Sequence, residues 1–204
     1  VEHDTNNYVI HQPKNINVLY TNADCLRNKI QELDCRLKDK LRENKEIHVI
    51  GITEYRNKNS AHDAELCELS LDNYDMFHNN IEEISRGVLL YVNKMFEATP
   101  VSFQSVYNDA VWVSIKLKGQ EQLLVGCIYR SPNSTVENNV RLLTLLQEVA
   151  AGKYTQILVM GDFNLPEINW KLDCVQSVNG FSNEFVDMLN DNYWHQHVME
   201  PTRD

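Results

Sequence analysis

Apolar residues along the chain fall into two rhythms, some alternating and some recurring every three or four positions. Ile16, Val18 and Tyr20 alternate with Asn15, Asn17 and Leu19, which predicts a first strand ending near Thr21. Leu26, Ile30, Leu33, Leu37 and Leu41 then mark one face of a helix, with Asp24 placed as its N-cap. From Ile47 to Thr53 the residues predict a second, buried strand with Glu54 at its exit. Strand, helix and strand in that order imply a parallel pair joined by a crossover.

The rhythm weakens after Asn57 into a polar loop, a short helix around residues 64–69 and a strand at residues 74–78. A further strand covers residues 87–92. Val111, Val113, Ile115 and Leu117 then share one side of an alternating stretch, and Gly119-Gln120 turns the chain into residues 122–129. Those two strands should form an antiparallel hairpin. Ser131-Pro132-Asn133-Ser134 breaks the second of them, and Val136, Val140, Leu143, Leu146 and Ala150 predict a helix capped by Ser134 or Thr135. Ile157-Leu158-Val159-Met160 reads as a strand buried on both faces. Gly161 would permit a sharp change of direction there, and Pro166 would stop the strand. Phe181, Phe185, Met188 and Leu189 predict a shorter last helix. Mixed crossovers and hairpins predict an α/β (α+β) sandwich of two mixed sheets with helices outside. Residues 1–14 read as a polar lead-in and residues 15–204 as one domain.

Composition narrows the class. With 43% hydrophobic and 24% charged residues, the chain has enough apolar material for a real core. No apolar stretch approaches the roughly 20 residues of a membrane span, so no membrane partner is expected. The five cysteines are odd in number and scattered, which suits a reducing, intracellular compartment. A net charge of −10 argues against coating nucleic acid by charge alone. It leaves a nuclease open, because metal-binding carboxylates add to the negative count. Contact with DNA would then need local basic loops.

Polar groups of one chemical kind collect at the predicted strand ends. Asn22 and Asp24 follow the first strand, and Glu54 follows the second. Tyr129 and Asn133 end the hairpin, while Asp162 and Asn164 close the run from Ile157. Each alone is explained by a cap, a turn or a solvated strand end. Together they offer carboxylates to a hard divalent cation and neutral donors to phosphate oxygens, the equipment for metal-assisted hydrolysis of a phosphate ester. His195 and His197, two apart, could share a strand face and bind zinc, but exposed strand residues explain them better.

Five segments carry a resemblance in order and spacing. They are Thr21-Asn22-Ala23-Asp24-Cys25-Leu26-Arg27-Asn28-Lys29, Ile52-Thr53-Glu54, Arg86-Gly87-Val88-Leu89-Leu90-Tyr91-Val92, Ile128-Tyr129-Arg130-Ser131-Pro132-Asn133-Ser134 and Gly161-Asp162-Phe163-Asn164. The set resembles the endonuclease/exonuclease/phosphatase superfamily, which includes DNase-I-like and apurinic-site endonucleases. The segment from Gly161 to Trp170 and Glu200-Pro201-Thr202-Arg203 look like the endonuclease domain of non-LTR retrotransposons of the jockey and chicken-repeat type.

The resemblance implies a four-layer α/β/β/α sandwich and Mg²⁺-dependent hydrolysis of DNA, with Mn²⁺ as a substitute. It implies Glu54, Asn22 and Asp24 at the metal, Tyr129 and Asn133 on the phosphate, Asp162 orienting the attacking water and Asn164 stabilising the transition state. A target-site DNA duplex and a reverse transcriptase domain in the same polyprotein would be the partners, and the nucleus the place of action. The superfamily's closing acidic ligand and Ser-Asp-His segment have no counterpart before Asp204, so activity of this chain is expected to be weak or absent. A non-catalytic remnant of a retroelement reading frame is one alternative. A phosphoesterase of the same fold acting on a phosphoinositide or nucleotide is the other.

Overall fold

The computed structural model describes residues 12–57, 66–79, 86–170, 174–175 and 180–199. Two four-stranded sheets carry the architecture. The first contains β1 (Val18–Asn22), β2 (Val49–Thr53), β3 (Tyr74–His78) and β4 (Val88–Asn93), in the order β1-β2-β4-β3. The second contains β5 (Ala98–Pro100), β6 (Ala110–Lys116), β7 (Gln122–Tyr129) and β8 (Gln156–Asp162), in sequence order. β9 (Ile168–Asn169) and β10 (Cys174–Val175) form a small separate ribbon. α1 (Ile30–Arg42) is the crossover between parallel β1 and β2, and α2 (Val136–Ala150) that between parallel β7 and β8. α3 (Phe181–Asp191) follows.

Burial separates the layers. The inner faces of the two sheets meet in a core that includes Val49, Leu90, Val92, Val113, Val125 and Cys127. The outer face of the first sheet packs Ile50, Ile52 and Leu89 against Leu33 and Leu37 of α1. Outside the second sheet, Trp112, Leu124 and Ile128 meet Leu142, Leu145 and Val149 of α2 and Phe185 of α3. The result is the expected α/β/β/α sandwich, in which both central strands of each sheet are covered twice. That double burial is why β4 reads as an unbroken apolar run.

Several local expectations need correction. Asp24 caps no helix: Leu26–Asn28 forms a 3-10 turn, and α1 starts after Lys29 with no side-chain cap. Leu41 lies exposed, so the apolar stripe of α1 ends at Leu37. On α2 the predicted face is rotated. Val136 and Val140 are exposed, while Asn139, Leu142, Leu145, Leu146 and Val149 point inward. Thr135 does cap this helix, accepting from the Asn138 amide at 3.2 Å. His195 and His197 stand edge to face on an exposed segment without strand structure. The small strands β5, β9 and β10 gave no period to read. The loop at 171–180 lies mostly outside the described residues, as do 1–11 and 200–204.

β8 differs from expectation in a way that matters for the rim. It is the edge of its sheet among the described residues, and Ile157, Leu158 and Val159 are only half-buried. Gly161 makes no turn, because β8 runs through Asp162 and the chain changes direction at Asn164 (φ 49°). Gly161 is required for a different reason: a Cβ there would lie 1.9 Å from the Ile128 carbonyl oxygen on β7. Gly161→Ala is therefore expected to cost about 2–3 kcal/mol, since a backbone atom cannot yield as a side chain would. Urea denaturation measures the loss, and a variant as stable as wild type would contradict the close approach.

Candidate active site

The face-to-face packing brings the exits of β1 and β2 alongside those of β7 and β8. Register sets the first pair: Asn22 lies opposite Thr53, the Ala23 amide donates to the Thr53 carbonyl, and the Cys25 amide donates to that of Glu54. Register also sets the second pair, with Tyr129 beside Asp162 across β7 and β8. One side chain joins the two. Asn22 Nδ2 donates to Glu54 Oε1 at 2.8 Å and to Asp162 Oδ2 at 2.9 Å. Asn22 Oδ1 accepts the Asp24 amide at 3.2 Å, which fixes the side-chain amide in that orientation.

The backbone is bent to present these groups. Asp24 (φ 40°), Cys25 (φ 79°), Glu54 (φ 54°) and Asn164 (φ 49°) all occupy the left-handed region without being glycine. Conformations of this kind cost of order 1–3 kcal/mol each and persist only where surrounding contacts over-determine them. Here those contacts are identifiable. Beside Asn164, buried Arg130 donates from its amide to the Asp162 carbonyl at 2.8 Å. Its guanidinium donates to the carbonyls of Phe163 (3.2 Å) and Asn164 (3.0 Å) and to Asn139 Oδ1 (2.9 Å). Asn164 Nδ2 donates back to the Arg130 carbonyl at 2.6 Å, and its amide donates to Asp162 Oδ1 at 3.3 Å. Arg130 thus clamps the turn that carries Asp162.

Arg86 is a second cation at the rim. Its Nη2 lies 2.6 Å from Glu54 Oε2 and 2.5 Å from Asp24 Oδ1. Neither Arg86 nor Arg130 was assigned a role from the sequence, although both sit inside the quoted motifs. The antiparallel pairing of Thr53 with Val88 is what sets Arg86 beside Glu54, and that register is not legible along the chain. Tyr129 is buried close to Glu54, Asp162 and Arg86. Burial, then the neighbouring Glu54 carboxylate, pushes the phenol up to about 12. It therefore stays a neutral donor through the physiological range.

Of the candidate residues, Asn22, Asp24, Glu54, Tyr129 and Asp162 gather around one rim, with Asn164 held just behind Asp162. Asn133 lies exposed in the turn between β7 and α2 and makes no hydrogen bond to the group among the described residues. The donor set suits a hard divalent cation in kind, being carboxylate oxygens, two of which converge on the position of Arg86 Nη2. Among the described residues no three Asp, Glu, His or Cys side chains form a ready-made cage.

No protein-family model and no curated protein matches the chain. Solved structures do. The endonuclease domain of TRAS1, a telomere-specific non-LTR retrotransposon, superposes with a TM-score of 0.59 at 13% identity, covering 87% of this chain and 71% of that one. The AP endonuclease LMAP from Leishmania major gives 0.57 at 11% identity, over 86% of this chain and 64% of that one. An AP endonuclease from Archaeoglobus fulgidus gives 0.54 at 15% identity, over 87% and 70%. The chain has a DNase-I-like fold. The rim described above is the end of the sandwich at which β1, β2, β7 and β8 stop together.

The raised phenol gives a pH test of the site. A group whose folded pKa exceeds its unfolded value contributes stability below the unfolded value and loses it as pH climbs to the folded one. For Tyr129 the window runs from 10.0 to about 12. Tyr129→Phe should be less stable than wild type at neutral pH and recover relative to it across that window, read by denaturant unfolding at several alkaline pH values. A difference that stays constant with pH would remove the buried phenol from the account.

Proposed function

We propose that this chain carries the metal-dependent phosphodiesterase site of a retroelement endonuclease, cutting one strand of a DNA duplex to leave a 3′-hydroxyl. The observation that carries the reading is the bridge from Asn22 to both Glu54 and Asp162, which draws carboxylates from the two sheets to one point. The likeness to the TRAS1 endonuclease domain and to two AP endonucleases supports it at the level of fold.

In this reading Glu54 and Asp24 would hold the divalent ion. When bound, Mg²⁺ or Mn²⁺ supplies charge neutralisation at the phosphate and the leaving oxygen. The chain's own groups do the rest. Asp162 accepts a proton from the attacking water and aims it, because Asn22 Nδ2 and the Asn164 amide hold its carboxylate while Arg130 clamps the turn that carries it. Tyr129, neutral at working pH, donates to a non-bridging phosphate oxygen. Asn22 keeps Glu54 and Asp162 at a set separation by giving each a hydrogen bond, and so limits the repulsion between them. Asn164 and Asn133 are further amides for the phosphate in this scheme. A nuclear location follows from the substrate, and a reverse transcriptase in the same polyprotein would extend the freed 3′-hydroxyl.

Supercoiled plasmid with Mg²⁺ tests the reading. Wild type should relax it, if only weakly, and Glu54→Ala and Asp162→Ala should be slower still, by roughly 10²-fold or more. Equal rates for all three proteins would overturn the assignment. Preferential release of phosphate from inositol phosphates would move the substrate to the phosphoinositide class on the same fold.

A further inference from the structure

Arg86 occupies an unusual position for an arginine in a site of this kind. Its Nη2 alone serves both Glu54 Oε2 and Asp24 Oδ1, at 2.6 and 2.5 Å, whereas Nε and Nη1 are buried with no partner among the described residues. A guanidinium normally distributes its five donors as a planar fork. Here one nitrogen is drawn between two carboxylates at the expense of the others. The backbone reinforces this: the Arg56 amide donates to the Arg86 carbonyl at 3.0 Å, tying Arg86 to the segment leaving β2. The Arg86 side chain is only 14% exposed, as is Glu54, so water screens the pair poorly.

We infer that Arg86 is a tethered counter-cation that competes with the divalent ion for Glu54 and Asp24. This rests on the metal reading of the site given above. In metal-free protein the guanidinium neutralises the carboxylate pair and leaves two of its own N–H-bearing nitrogens unsatisfied. A divalent ion taking the same two oxygens must displace Nη2, which also releases the guanidinium to find partners for those nitrogens. The arrangement is a two-position device: arginine in, or metal in. Apparent metal affinity is then reduced by the fraction of molecules with the arginine in place.

The test is Mn²⁺ titrated calorimetrically into wild type, Arg86→Gln and Glu54→Gln, with thermal unfolding of each metal-free protein alongside. Competition predicts that Arg86→Gln binds Mn²⁺ tighter by about tenfold or more, while its metal-free Tm falls below that of wild type. Glu54→Gln should lose binding. If wild type binds and Glu54→Gln does not, but Arg86→Gln binds equally or more weakly, competition is overturned and the metal reading stands. If neither wild type nor Arg86→Gln binds Mn²⁺, the metal reading falls and competition with it. Should Arg86→Gln fail to fold, the wild-type Arg86 Nε–H signal in an NMR titration decides. Mn²⁺ is replaced there by diamagnetic Mg²⁺, and a signal that binding does not move overturns the inference.

Discussion

The rim is organised by the hydrogen-bonding capacity of a single amide. Asn22 Nδ2 has two hydrogens, and each goes to a different carboxylate, Glu54 from the first sheet and Asp162 from the second. Neither an aspartate nor a leucine could do this. The first would add a third negative charge, and the second would leave two half-buried carboxylates facing each other without a shared donor between them. The packing of the two sheets brings the strand exits together, but apolar packing is non-directional and tolerates small slips. The Asn22 bridge converts that approximate meeting into a defined separation. Backbone strain at Asp24, Cys25, Glu54 and Asn164 is held against this fixed point.

Much of the sandwich was legible because burial on two faces leaves a strong imprint. β2, β4, β7 and α2 appear in the sequence as apolar runs or alternations bounded by Gly, Pro and Asn, and each is found within a residue or two of its expected place. Where only one face is covered, the imprint weakens and phase errors enter. The α2 stripe was placed on Val136 and Val140, which are exposed, because Asn139 is the buried residue of that first turn. Its burial has a polar cause, the hydrogen bond from Arg130, and no hydrophobic pattern can announce that. Gly161 is similar: its requirement comes from the Ile128 carbonyl on another strand, and a turn was the only local explanation available.

The site shows the same division. Asn22, Glu54, Tyr129 and Asp162 stand at strand ends, and strand ends can be found from periodicity. That they converge follows from sheet order and register, which add information absent from any one segment. Asp24 illustrates the limit, since its position before an apolar helical pattern suits an N-cap and its backbone angle forbids one. No local pattern announces Arg130 and Arg86, because their roles depend on partners far along the chain. A buried arginine is costly unless most of its donors are used. Arg130 meets that condition through Asn139, Phe163 and Asn164, and the turn bearing Asp162 becomes rigid as a result.

Arg86 does not meet it, and the contrast between the two arginines separates structure from function. Arg130 has Nε and Nη1 engaged and its guanidinium carbon 4.8 Å from the centre of the Phe181 ring. Arg86, sitting between two carboxylates, leaves two nitrogens without partners among the described residues. In a chain of net charge −10, a rim that gathers Asp24, Glu54 and Asp162 needs a cation nearby to be stable at all. A fixed cation that is fully satisfied would leave no room for a mobile one. An under-satisfied arginine stabilises the carboxylates while keeping the cost of exchange low. In the proposed competition, the incomplete satisfaction of Arg86 would let the same carboxylates be held in place before a divalent ion arrives and be surrendered when it does.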